Sequence, residues 1–220
     1  MRNLISVFIL ACLIFVVACN KEEEEKVIIP PANFQPFGPG STWSYADYPF
    51  STLYSIYMTG IDSTFNKKKY HEVFSTNAGY SWVRRENGNY YRLLPYMDTV
   101  AEFLYLKDNV SVGNSWKTEF EYAGLPATYQ YILTEYDQPK LINGQIYDHC
   151  ITVRENLLVD FGSGTDSLMA SWEYSYANDI GLVYIKRDIP GDIYLKSFII
   201  YYKVFIVIVR AEPIFNDSII

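Results

Sequence analysis

An all-β, antiparallel architecture is expected of this chain on three grounds. From residue 34 onward apolar and polar residues alternate with period two; Trp172, Tyr174 and Tyr176 interleave with Ser171, Glu173 and Ser175, so one strand face meets a core and the other meets water. The dipeptides Asn87-Gly88, Asn143-Gly144 and Pro190-Gly191 punctuate such runs as tight turns. No stretch of the domain carries a convincing amphipathic helical period, so sheet has to cover sheet. A curved sheet or half-barrel, a closed barrel, or two stacked sheets would all do this.

In chain order, the alternation predicts strands at 42–48, 53–61, 80–85, 90–94, 100–106, 116–122, 128–136, 147–153, 171–176 and 182–187. The segment 193–209 is apolar on both faces apart from Lys196 and Lys203. Its β-branched and aromatic content, its lysines and its lack of helix caps mark one long strand or a hairpin buried on both sides, not a membrane span. Gly40-Ser41-Thr42-Trp43 and Gly113-Asn114-Ser115-Trp116 echo each other. Each is either the start of one of two similar halves, 34–108 and 109–220, or a turn-into-strand signal used twice. In both, glycine permits a left-handed turn and tryptophan plugs an end of the barrel or sandwich.

The first residues differ in kind. Arg2 gives a short charged start, and residues 4–18 are apolar except for Ser6, which suits a signal-peptide core and is short for a membrane helix of about 20 residues. Val16-Val17-Ala18-Cys19 resembles the bacterial lipobox, which implies a diacylglycerol thioether on Cys19 and cleavage before it. Glu22 to Glu25 repel one another and stay solvated, so the segment reads as an extended spacer. Lys21-Glu22-Glu23 resembles the surface-export signal of Bacteroidetes lipoproteins, which implies an outer-membrane anchor with surface display; a periplasm-facing anchor is the other reading. The organisation expected is therefore a signal peptide at 1–18, a lipidated acidic tether at 19–33 and one β-rich domain at 34–220. Cys12 leaves with the leader and Cys19 carries lipid, so Cys150 stays unpaired and is expected to be a small buried hydrophobe.

Half of the chain is hydrophobic, 17% aromatic and only 20% charged, which excludes a disordered chain. Without Arg2, Lys21, Lys26 and the four glutamates, fifteen basic residues face twenty-one acidic ones, a net −6. That charge disfavours nucleic acid and anionic membrane surfaces as partners.

Three segments resemble, in order, a broad group of Bacteroidetes lipoproteins. Residues Phe34 to Tyr45 (FQPFGPGSTWSY) resemble the group's "FPL…G…W…Y" opening, Ile142 to Tyr147 (INGQIY) its "V-N-G-K-x-Y" hairpin, and Tyr176 to Val183 (YANDIGLV) its late "Y-A-x-G-I-G-L-V" segment. Asp179 stands where the group usually has glycine. The resemblance implies a curved antiparallel sheet or half-barrel, similar in shape to lipoprotein carriers, and no known reaction.

Chemistry is sparse in the sequence, and no catalytic, cofactor-binding or metal-binding residue is predicted. His149 adjoins Cys150, but neighbours on a strand point to opposite faces and cannot share a proton. His71 follows Lys67-Lys68-Lys69 and reads as a solvated histidine near a hairpin turn. No metal-ligand spacing is present. Glu119 and Glu121 would lie about 6–7 Å apart on one strand face, which brushes the spacing of inverting glycosidases, but Lys117 shares that face and a solvated surface explains all three. Gly162-Ser163-Gly164 lacks a nucleophile-elbow frame and reads as a loop. Asp62-Ser63-Thr64, Asp98-Thr99-Val100, Asp166-Ser167-Leu168 and Asp217-Ser218-Ile219 resemble Bacteroidetes O-glycosylation sites, making Ser63, Thr99, Ser167 and Ser218 candidate acceptors; Asp-Ser pairs at strand starts are the plain alternative. The many tyrosines and tryptophans either line a groove for sugar or lipid or pack as cross-strand partners.

The function expected is a membrane-tethered, non-catalytic binding or accessory module with a protein, glycan or lipid partner. A structural or assembly factor without small ligand is the alternative, and a hydrolase the remote one. A ring-lined concavity would favour the first, and a flat exposed apolar patch the second.

Overall fold

The computed structural model describes residues 32–48, 52–96, 99–187, 192–201 and 206–209. Cys19, the acidic run, the Pro190-Gly191 turn and Ser218 lie outside the described residues, as does the side chain of Thr99. The described part from Ala32 is one compact unit. It is all-β and antiparallel, as expected, with no helix among the described residues.

Thirteen strands form one sheet. The first six are β1 (Thr42–Asp47), β2 (Thr52–Phe65), β3 (Lys68–Ser75), β4 (Gly79–Glu86), β5 (Asn89–Tyr96) and β6 (Thr99–Lys107). The rest are β7 (Ser115–Tyr122), β8 (Leu125–Ile142), β9 (Gln145–Asp160), β10 (Asp166–Ala177), β11 (Gly181–Arg187), β12 (Ile193–Tyr201) and β13 (Ile206–Val209). The order β6-β5-β4-β3-β2-β1-β12-β11-β10-β9-β8-β7 describes two six-stranded meanders joined where β1 pairs with β12, and β13 continues the edge of β12 that β11 leaves. The sheet curls into a nearly closed barrel whose edge strands, β6 and β7, approach each other without a backbone ladder.

Turn chemistry explains the short connections. Asn87-Gly88 and Asn143-Gly144 hold left-handed φ at both positions, 51° and 76°, then 48° and 80°. Strand β3 is absent from the sequence expectation because its turn, Asn66-Lys67, adopts φ of 49° and 65° without any glycine to announce it. Strand β12 is not buried on both sides. It alternates, with Leu195, Phe198 and Ile200 inside and Lys196, Ile199 and Tyr201 exposed.

The two Gly-Trp echoes open the two meanders with one device. Gly40 N–H donates to Met58 O at 2.8 Å and Met58 N–H to Ser41 O at 2.9 Å; Gly113 N–H donates to Leu133 O at 2.8 Å and Leu133 N–H to Asn114 O at 3.0 Å. Both glycines have left-handed φ, 85° and 88°, and Trp43 and Trp116 turn inward to 1% and 8% exposure. Trp43 Nε1 donates to Ile180 O at 2.5 Å, tying β1 to the β10–β11 turn. Trp116 Nε1 donates to Leu104 O at 2.7 Å, across the gap between the edge strands.

Residues 32–39 plug one end of the barrel. Phe34 is buried, its N–H bonded to the Tyr90 hydroxyl at 3.0 Å, and Asn33 exchanges bonds with Asn178 (2.7 Å) and Asp179 (2.7 Å). Asp179 has φ of 60°, the conformation that a glycine would adopt freely and that Asp tolerates. A side chain at Gly38 would collide with the Tyr201 carbonyl, so the plug lies against β12.

The side-chain closure between β6 and β7 consists of the Trp116 bond, Phe103 edge-on to Phe120 and Tyr129 (centroids 5.7 and 5.8 Å), and Lys107 over the Trp116 ring at 5.4 Å. Lys117, Glu119 and Glu121 point outward from β7, a charged guard against pairing with another sheet. Replacing Trp116 with Phe removes the bridging donor and is expected to cost about 1 kcal/mol. The urea midpoint should fall at unchanged slope, and a variant with wild-type midpoint would show that the indole bond plays no part in closure.

Candidate functional site

A chamber of about 510 Å³ lies inside the barrel. This is within the range of about 300–1,000 Å³ typical of small-ligand sites. Its rings come from both meanders: Trp43 and Tyr45 from β1, Tyr54 from β2, Tyr105 from β6, and Tyr174 and Tyr176 from β10. Ile56, Val73, Val83, Leu94 and Leu182 supply an aliphatic wall. Gln35 of the plug borders it at one end, and Ser75 to Ser81, the β3–β4 hairpin, frame the other. Trp43, Tyr45 and Tyr176 belong to the buried clusters and also border the concavity.

Two ionisable side chains enter the chamber from strands of different meanders: Arg92 from β5 and Glu155 from β9. Register explains both. Arg92 pairs with Val83, which is also inward, while Arg84 pairs with Tyr91 on the outer face. Glu155 sits in the inward series Ile151, Val153, Glu155, Leu157, Val159 and pairs with Tyr131 on β8 and Trp172 on β10.

The Arg92 Nε is buried with no hydrogen-bond partner. No ion pair within 4.0 Å joins Arg92 to Glu155 or to any other described carboxylate; a longer-range attraction links it to Glu155, and its guanidinium carbon lies 5.8 Å from the Tyr105 ring centre. Glu155 is 7% exposed and accepts a long bond, 3.3 Å, from the Tyr174 hydroxyl. The Tyr131 hydroxyl faces the same carboxylate at interaction range, outside the geometry of a full hydrogen bond. Burial pushes the Glu155 carboxyl up, against the opposing pull of Arg92. Burial likewise raises Tyr105, Tyr174 and Tyr176, so these phenols remain neutral O–H donors.

Arg84, eight residues earlier, is the contrast. On the outer face its Nε bonds Glu102 at 2.8 Å and the Tyr70 hydroxyl at 3.1 Å, its Nη1 bonds Glu86 at 2.7 Å, and it stacks 3.6 Å from the Tyr91 ring centre. Burial pushes Glu102 up, but Arg84, Lys68 and Tyr70 together outweigh it and hold the carboxyl down to about 2. Tyr70 donates a short bond to the same carboxylate.

The structure keeps the other sequence candidates apart. Cys150 is fully buried, its thiol pushed up to about 11 by burial, while the neighbouring His149 side chain is 70% exposed and bonds Asp137 at 2.6 Å. Glu119 and Glu121 are exposed on β7. Gly162 to Gly164 form a turn whose three N–H groups donate to Asp160 Oδ1. His71 departs from expectation. It lies within β3, half-buried, stacked on Phe37 of the plug at 5.3 Å and bonded to Asp62 at 2.7 Å, because the unannounced Asn66-Lys67 turn places it mid-strand. Among the described residues no cluster of three His, Cys, Asp or Glu side chains is arranged to hold a metal. Ser167 is exposed near the start of β10 and Ser63 is half-buried in β2, where Asp62 is engaged by Lys69 and His71.

Sequence reasoning missed Arg92 and Glu155. For Glu155 a signal existed, since it is the single charge in an otherwise apolar period-two series. Arg92 carried the same signal more briefly, as the single charge between Tyr90 and Leu94, but the apolar Tyr91 and Leu93 opposite left the inward face of the strand undecided.

No protein-family model matches the chain, and no curated protein matches it at a significant level. Two solved structures are similar in backbone. One is of a candidate lipoprotein from Parabacteroides distasonis, 13% identical, with a TM-score of 0.48 over 76% of this chain and 98% of that one. The other is of a candidate exported protein with a YmcC-like fold from Bacteroides fragilis, 10% identical, with a TM-score of 0.45 over 76% and 99%.

Because the Tyr131 hydroxyl is buried without a partner, Tyr131→Phe is expected to leave stability unchanged or raise it slightly, despite the residue's 1% exposure. Chemical denaturation measures this. A loss above about 1 kcal/mol would reveal a hydrogen bond that the geometry does not contain.

Proposed function

We propose that this chain is an envelope lipoprotein, anchored through Cys19 in the outer membrane and displayed at the surface, whose β body is a non-catalytic module that binds a small ligand with an apolar portion. The observation that carries the reading is the ring-lined chamber of about 510 Å³, drawn from strands of both meanders and framed by the β3–β4 hairpin. The signal-like leader, the lipobox resemblance at 16–19 and the acidic spacer support the anchor. Binding without catalysis suits an interior whose ionisable side chains, Arg92 and Glu155, are held apart beside phenols that stay protonated. Exposed apolar side chains pair at the β8–β9 tip (Leu141 and Ile146) and gather at the β9–β10 tip (Phe161, Leu168 and Met169), the places where the alternative, an assembly factor, would find its contact.

Native mass spectrometry of the protein purified from its own envelope tests the binding role. A discrete adduct is expected, and a clean unliganded mass from gentle extraction would overturn the reading. For the anchor, Cys19→Ala is expected to move the protein out of the membrane fraction; continued retention there would exclude acylation of Cys19 as the attachment.

A further inference from the structure

We infer that the chamber receives an anionic amphiphile, with an acceptor-rich head group, carboxylate or phosphate, held by Arg92 and an apolar body lying along the ring and aliphatic wall. The inference rests on reading the chamber as a binding site and adds what the ligand is and which part of it goes where.

A count of donors and acceptors carries it. Around the inner polar region of the chamber stand the guanidinium of Arg92, with up to five N–H donors and no acceptor, and the phenols of Tyr105, Tyr174 and Tyr176, each able to donate or accept. Against them Glu155 is the one carboxylate that lines the chamber. Of these, Arg92 Nε is buried without a partner. A buried donor without an acceptor is costly, and a guanidinium outside ion-pair distance costs most. A group rich in acceptors satisfies this arrangement; a sugar hydroxyl, half donor, does so less well, and an ammonium group would be repelled.

Charge agrees with the count. Burial pushes the Glu155 carboxyl up, and the attraction between it and the Arg92 guanidinium acts only at long range, with no ion pair within 4.0 Å. Between this region and the β3–β4 hairpin the wall is Ile56, Val73, Val83 and Leu94, with no charged side chain, so the rest of the ligand is apolar.

The test compares four eight-carbon probes by calorimetry on the full-length protein in phosphatidylcholine nanodiscs, with empty nanodiscs subtracted: octanoate, octyl phosphate, octanol and octyltrimethylammonium. The two anions are expected to bind at least about tenfold more tightly than octanol, the tighter of them naming the head group. Arg92→Met is expected to erase that preference while octanol binding persists, and Arg92→Lys to keep part of it. Equal binding of octanoate and octanol by the wild type would overturn the assignment of an anion to Arg92 and leave the chamber a binding site. Preference for the ammonium probe would overturn it in favour of Glu155. Binding of none of the four would remove both this inference and the binding role. The wild-type comparison decides even if the methionine variant does not fold.

Discussion

The hydrogen bond from the Trp43 indole to the Ile180 carbonyl is the contact around which the barrel is organised. It fixes β1, the strand by which the first meander joins the second, against the β10–β11 turn, and Gly181 leaves room for the ring; a Cβ there would lie 3.3 Å from the indole nitrogen. Tyr45, two residues on, repeats the link with a 3.0 Å bond to Leu182 O. The plug at 32–39 is held by the same turn through Asn178 and Asp179. With these bonds in place the strand order leaves one interior, filled by three clusters among the described residues: one around Trp43, Met58 and Val183, one around Tyr90, Trp116 and Tyr131, and a smaller one around Ala127, Leu157 and Val159.

Placing an arginine and a glutamate inside such a body is expensive. Effective desolvation runs to several kcal/mol per ion, and two charges too far apart for an ion pair recover little of it. The chain shows elsewhere how it satisfies a buried guanidinium: Arg84 has two carboxylates, a phenol and a stacked ring. Arg92 has an aromatic ring at cation–π range and a distant acid. These two residues of one hairpin thus differ in kind: Arg84 sits in a closed network of partners, and Arg92 does not.

Much of the fold was legible because period-two patterning is a local property. Ten predicted strands fall within observed ones or within a residue of them, and the Asn-Gly turns were visible as dipeptides. Strand β3 was not, since Asn66-Lys67 reaches left-handed geometry without glycine. The extent of β8 and β9 was also under-read: bulges at Asp137 and His149, both with positive φ, break the alternation while the ladder continues to Ile142. The candidate site was much less legible. A chamber is made by curvature bringing β5 opposite β9, and no local pattern records which inward residues face each other across a space. The rings were visible as a group, their shared cavity was not, and Glu155 could have been singled out only by noticing one acid in an apolar series.

The line where β6 meets β7 sets the girth of the body. Every other neighbouring pair of strands along the circumference is stitched by a peptide ladder, whose spacing is nearly invariant; here one indole and a few rings span the join. Among the described residues, widening the barrel at this slit breaks the Trp116 hydrogen bond and some ring packing while both meanders keep their ladders. The interior is thus bounded by a laddered wall with one seam held by side chains alone, and its width is governed by Trp116, Phe103 and Phe120 more than by the residues that line it.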